Sequence, residues 1–222
     1  MLSQFSEETL ERMKACGAVA VLVIDEAENT VPLAKTLLEG GIEAMELTLR
    51  TPAALDALAR VRKEVPGMMA GVGTILTPEQ VHAVAEAKAD FGVAPGLNEA
   101  VVLAAQAEKL PFAPGIMTPS EIEKAVQLGC RELKLFPAEP LGGMKYLKSI
   151  AAPYAHLDLQ YIPLGGLSLD NMDAYIQSSL TLALGGSWIA PRNLIQKQDW
   201  ETIFQNAQKT RQKIDQLRKG AF

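Results

Sequence analysis

Two residues stand where their chemistry is unexpected: Lys134 and Glu46. Lys134 lies in Arg131-Glu132-Leu133-Lys134-Leu135-Phe136-Pro137, a short run bounded by Gly129 and Pro137 that reads as a buried strand. Side chains alternate along a strand, so Leu133 and Leu135 share one face while Glu132, Lys134 and Phe136 share the other. A buried ammonium is costly unless it is paired or gives up its proton. A lysine without its proton attacks carbonyl carbon, and Schiff-base formation is the usual reason to keep one inside. The alternative is a strand-end lysine whose stem carries its charge to solvent. Glu46 lies in Ile42-Glu43-Ala44-Met45-Glu46-Leu47-Thr48-Leu49-Arg50-Thr51. Met45, Leu47 and Leu49 form one face of that strand, and Ala44, Glu46, Thr48 and Arg50 the other. A carboxylate and a guanidinium on an inward face suggest a site; the alternative is a Glu46–Arg50 ion pair that only organises the interior.

These groups make one chemistry together. Lys134 would attack a ketone, Arg50 would hold a carboxylate in its fork, and Glu46 would move protons. A protonated imine next to a carboxylate-bearing carbon is an electron sink that favours carbon–carbon cleavage with release of an enamine. Gly165-Gly166-Leu167-Ser168 and Gly185-Gly186-Ser187 add two glycine-rich stretches near the end of the chain. Backbone free of side chains there could receive a phosphate, although either double glycine can also be a plain turn. Gly71-Val72-Gly73-Thr74 offers a hydroxyl after another turn, and Ala94-Pro95-Gly96 and Pro114-Gly115 bring backbone close to a shared opening. This chemistry calls for no metal and no cofactor.

The elements that must position these residues alternate from end to end. Strands are expected over residues 18–24, 44–49, 68–73, 91–94, 112–116, 132–136, 160–164 and 182–186. Helices are expected over 30–39, 53–65, 78–87, 98–108, 119–128, 142–151 and 171–177, with a closing helix over 200–219. Thr51-Pro52, Thr77-Pro78 and Thr118-Pro119 each place a capping threonine before a first-turn proline. Gly40-Gly41, Lys88-Ala89 and Gly129 read as helix ends. Eight such units predict a single-domain α/β chain, residues 1–222, folded as a (β/α)8 TIM barrel over about 18–219 behind an N-terminal helix at about 6–15. An open doubly wound sheet is the other architecture, but its glycine-rich first turn is missing after Val23-Ile24-Asp25-Glu26. In a barrel the strand C-termini carry the site, and the loops after the last two strands are the common place for phosphate.

Composition narrows the partners. The 222 residues are 48% hydrophobic with a net charge of −5, and the pI is near 5.2. Such a surface excludes a polyanion-binding role, so no nucleic acid partner is expected. No apolar run reaches spanning length and the N-terminus lacks signal-peptide regions, so the expectation is a soluble, cytoplasmic protein without a membrane partner. Cys16 and Cys130 read as buried fillers, and His82 and His156 as surface residues without metal partners. Lys209, Arg211, Lys213, Arg218 and Lys219 read as the solvated face of the last helix.

The motifs, taken in order, resemble the class I 2-keto-3-deoxy-6-phosphogluconate (KDPG) aldolase family, which includes the 4-hydroxy-2-oxoglutarate (KHG) aldolases. The resemblance runs from about Ala18 to Pro191. It is carried by Glu46-Leu47-Thr48-Leu49-Arg50-Thr51, Gly71-Val72-Gly73-Thr74-Ile75-Leu76, Pro95-Gly96, Pro114-Gly115-Ile116, Leu133-Lys134-Leu135-Phe136-Pro137-Ala138-Glu139, Gly165-Gly166 and Gly185-Gly186-Ser187-Trp188. It implies Lys134 as imine former and Glu46 as general acid/base working through a water. Arg50 and Thr74 would bind the pyruvyl carboxylate, with Pro95 and Phe136 shaping its pocket. Gly165, Gly166, Gly186 and Ser187 would bind phosphate. It further implies a homotrimer whose partners are pyruvate and a phosphorylated keto acid. One position departs: Leu164 stands where phosphogluconate-specific members usually carry threonine, as the phosphogalactonate-cleaving relatives also tend to be apolar there. The expected reaction is cleavage of KDPG to pyruvate and glyceraldehyde 3-phosphate. The same reaction on 2-keto-3-deoxy-6-phosphogalactonate or on 4-hydroxy-2-oxoglutarate stays open, as do, outside the class, a phosphosugar isomerase or epimerase and a non-catalytic binding barrel.

Overall fold

Parallel strands followed by helices run through the computed structural model, which describes residues 3–219. The strands are β1 (Ala18–Leu22), β2 (Ala44–Thr48), β3 (Met69–Gly73), β4 (Gly92–Val93), β5 (Phe112–Ala113), β6 (Gly115–Ile116), β7 (Glu132–Leu135), β8 (Gln160–Pro163) and β9 (Leu184–Gly186). The helices are α1 (Glu7–Cys16), α2 (Thr30–Glu39), α3 (Ala54–Glu64), α4 (Pro78–Glu86), α5 (Glu99–Ala107), α6 (Pro119–Gln127), α7 (Gly143–Ala151), α8 (Asp173–Ile176), α9 (Arg192–Gln196) and α10 (Trp200–Lys219). Each expected strand and helix has a counterpart, generally trimmed by a residue or more at its ends.

The sheet departs from eight unbroken strands. It comprises a six-stranded section, β5-β4-β3-β2-β1-β9, and a three-stranded section, β6-β7-β8. The expected fifth strand is split into β5 and β6 at Pro114, which has no N–H to give a ladder. Its carbonyl still accepts from Lys134 N at 2.9 Å, so the split strand faces both sections. On the other side, parallel bridges Tyr161–Thr181 and Leu164–Gly185 link β8 to the β9 segment. The result is a curled parallel α/β sheet with helices outside it. Its apolar layer, including Leu22, Met45, Leu47, Val72, Leu133 and Leu135, is buried beneath those helices.

Local chemistry sets several helix starts. Thr77 and Thr118 each form a capping box, with Gln80 and Glu121 respectively, followed by proline in the first turn. Thr51 does not cap, contrary to expectation. Its hydroxyl donates instead to Ile24 O beyond β1, and α3 starts at Ala54 without a side-chain cap. Residues 171–177 yield only the short α8, and α9, unforeseen, follows Pro191.

The basic face of α10 is likewise less solvated than expected. Arg211 donates to Ala15 O at 3.0 Å and Cys16 O at 2.8 Å, and Arg218 to Ala15 O at 2.7 Å. Lys213 donates to Asp173 at 2.6 Å. Carbonyls at the end of α1 lack helical partners and attract these cations. Lys209 and Lys219 are the exposed members of that set. Cys16 and Cys130 are free and buried, and His82 and His156 are exposed. Among the described residues no helix is long and apolar enough to cross a membrane.

Candidate active site

Parallel register brings the second and seventh strands' chemistry to one end of the sheet. β1 pairs Val21 with Glu46, β2 pairs Glu46 with Gly71, and β7 sits between Gly115 and Ile162 at Lys134. A cavity of about 350 Å³ opens there. Every residue given a binding or catalytic role above lines it: Lys134, Glu46, Arg50, Thr74, Pro95, Phe136, Leu164, Gly165, Gly166, Gly186 and Ser187.

Lys134 and Glu46 meet directly. The Nζ donates to Glu46 Oε1 at 3.1 Å and lies 3.5 Å from Oε2. The two side chains are 6% and 3% exposed, so Lys134 does not reach solvent. The ring centroid of Phe136 is 5.7 Å from the ammonium, covering it at the mouth. Burial of either group alone would cost several kcal/mol, which binds the pair to each other.

The neighbouring backbone makes room for this pair. A Cβ at position 73 would lie 1.8 Å from Glu46 Oε1, so a glycine is required beside the carboxylate. Thr74 follows with φ +62, a left-handed conformation that a β-branched residue rarely adopts and that stores about 1–3 kcal/mol of strain. In that conformation Thr74 forms part of the cavity wall. Leu164 is buried against Gly185, where a Cβ would come within 2.3 Å of Leu164 Cγ. Gly165 and Gly166 take φ +96 and +79, and Asn171 Nδ2 donates to Gly166 O at 2.9 Å.

Arg50 makes no ion pair with Glu46, and none with any acid among the described residues. Its Nε donates to Thr48 Oγ1 at 3.1 Å, leaving the two Nη groups of an exposed fork for a ligand. A carboxylate is the natural complement of that fork.

A family model described as KDPG and KHG aldolase matches residues 9–206. The chain is also 40% identical to the KHG/KDPG aldolase of Escherichia coli (strain K12), over 83% of this chain and 86% of that one. The chain belongs to the KDPG and KHG aldolase family. Among solved structures, KDPG aldolase from Legionella pneumophila, with pyruvate captured as a covalent carbinolamine intermediate, matches at TM-score 0.84 and 34% identity, covering 88% of this chain and 94% of that one. The KDPG aldolase of Zymomonas mobilis ZM4 with 3-phosphoglycerate matches at TM-score 0.83 and 32% identity, over 92% and 95%.

Four further residues line this aldolase-family cavity that the sequence did not single out as site residues: Val21, Thr48, Leu167 and Gly185. Thr48 had a signal, because it alternates with Glu46 and Arg50. Its hydroxyl is buried, donates to Leu22 O at 2.8 Å and presents its lone pair to Arg50. Gly185 had one too, as half of a double glycine, whereas Val21 and Leu167 carry no group that marks them in sequence. Below Lys134 on the same strand, Glu132 is buried, which pushes its carboxyl above the ordinary value of 4.5; the Ser3 hydroxyl, 2.8 Å away, pulls in the opposite sense.

Proposed function

We propose that this protein is a Schiff-base aldolase that cleaves KDPG to pyruvate and glyceraldehyde 3-phosphate. The contact of Lys134 with Glu46 inside the cavity carries this reading. Lys134, its proton passed to Glu46, attacks the C2 ketone to give a carbinolamine; Glu46 returns a proton as water leaves, forming the iminium. The carboxylate then takes the C4 hydroxyl proton, directly or through a water. The C3–C4 bond breaks, its electron pair enters the iminium, and the aldehyde departs. The resulting enamine is protonated at C3, and hydrolysis frees pyruvate and the amine. Arg50 and Thr74 hold the pyruvyl carboxylate, Pro95 and Phe136 shape its pocket, and Gly165, Gly166, Gly186 and Ser187 receive the phosphate.

The continuity of β5 into β6 across Pro114 and the β8–β9 bridges support closure of the two sheet sections into a full (β/α)8 barrel, one domain over residues 1–222. The family supports a cytoplasmic homotrimer. Leu164, apolar and buried at the cavity wall, is proposed to read C4 of the substrate. Side-by-side cleavage of KDPG, its galactonate epimer and 4-hydroxy-2-oxoglutarate tests the assignment. KDPG is expected to have the highest kcat/KM, and no cleavage of any of the three would sink it. Leu164→Thr is expected to shift the ratio between the two phosphorylated epimers; an unchanged ratio means that position 164 does not read that carbon. An isomerase or epimerase would tolerate loss of the lysine, whereas a sensor would bind without releasing pyruvate.

A further inference from the structure

The mechanism leaves one part-buried hydrogen-bonded pair unused. Beyond β7 the chain runs alongside the glycine loop that follows β8: Ala138 N donates to Leu164 O at 2.7 Å and Glu139 N to Gly165 O at 3.0 Å. The contact is close, for a Cβ on Gly166 would lie 2.7 Å from Glu139 Cβ. On the far side of Glu139, the hydroxyl of Tyr175 on α8 donates to Glu139 Oε1 at 2.5 Å. Tyr175 is 1% exposed, and burial together with the carboxylate raises its hydroxyl above the ordinary value of 10. Gly143, at φ +63, keeps the space clear: a Cβ there would lie 2.7 Å from Glu139 Oε1 and 3.1 Å from the Tyr175 oxygen. Asn171 ties the same loop from its other flank, accepting from Ser168 N and donating to Gly166 O, both at 2.9 Å.

We infer that Glu139 and Tyr175 are positioning residues that clamp the Gly165-Gly166 loop to the tail of the lysine strand and thereby set affinity for the phosphorylated end of the substrate. Neither residue lines the cavity. Their effect passes through the loop backbone, whose φ values leave glycine free to drift when its neighbour is not anchored. The inference rests on the reading of that loop as the phosphate site.

Tyr175→Phe keeps the ring and removes the hydroxyl. A hydrogen bond to a charged group, once lost, is expected to raise KM for the phosphorylated keto acid about tenfold. Half-saturation by pyruvate in borohydride trapping, which needs only the lysine and carboxylate end, is expected to move less than about twofold. Glu139→Gln still accepts from the hydroxyl and should restore near-native KM, whereas Glu139→Ala should behave as Tyr175→Phe does. An unchanged KM in Tyr175→Phe, or equal losses for both ligands, overturns the inference. Inorganic phosphate separates the two layers. If it does not compete with the phosphorylated substrate in the native enzyme, the phosphate reading and the clamp fall together. If it competes, and its inhibition constant is the same in Tyr175→Phe, only the clamp falls.

Discussion

Lys134 and Glu46 are each expensive to bury and are stable only together, so under the proposed mechanism stability and catalysis load onto the same contact. Substitution can separate the two. Lys134→Arg keeps a cation beside Glu46 but offers no amine to condense, so turnover should vanish while the thermal midpoint holds. Lys134→Ala leaves a buried carboxylate unpaired and should lose turnover together with about 3–5 kcal/mol of stability. A coupled pyruvate assay run beside thermal melts checks both; turnover in Lys134→Arg would contradict the imine. Thr48 acts one step further out, fixing the Arg50 fork. Thr48→Val should raise KM for the keto acid about tenfold, in line with a charge-assisted bond, and should cost little more when Arg50→Ala is already present. Additive losses in that double-mutant cycle would mean that the hydroxyl does not work through the arginine. At this scale the sequence showed charged and glycine positions well, because a buried charge or a bare backbone needs a reason. It concealed Val21 and Leu167, since an apolar side chain at a cavity wall looks like any other core residue.

Elements were legible to the extent that their signals are local. Thr77 and Thr118 build their caps from residues three apart, which a sequence displays directly. Thr51 carries the same dipeptide, but a carbonyl 27 positions away competes for its hydroxyl, and no local pattern reveals that. The break at Pro114 was visible as a residue and not as a consequence, because only the pairing shows which N–H was needed. Gly73 belongs to this scale too, since β3 must pass within contact of the carboxylate on β2. Gly73→Ala should push Glu46 off Lys134 and cut kcat by at least about tenfold, the range lost when a general acid–base group is displaced. A kcat within twofold of native would show that the carboxylate tolerates the shift.

Across the whole molecule the curled parallel sheet was legible because strand and helix periods alternate along the entire chain. Its two-section hydrogen bonding was not, since it depends on register between distant segments. Two carboxyls at opposite places in the fold make a pH prediction. Asp25, in the loop after β1, is held down to about 2 chiefly by its hydrogen bond from Arg192 on α9. Its contribution is present above the ordinary 3.8 and is lost as pH falls through about 2. Glu132 runs the other way. Its raised value means that stability is present below 4.5 and is lost as pH climbs past the shifted carboxyl. Glu132→Gln, which keeps an acceptor for Ser3, should therefore raise the thermal midpoint at pH 8 more than at pH 4. Equal gains at both pH values would contradict the burial of a charge at that position.

The proposed mechanism places an imine on one buried amine, and reductive trapping reads it directly. Pyruvate and borohydride added to the native enzyme, followed by peptide mass mapping, should place one reduced pyruvyl adduct on Lys134, with none formed in Lys134→Arg. An adduct on a different lysine, or no pyruvate-dependent adduct at all, would contradict the account.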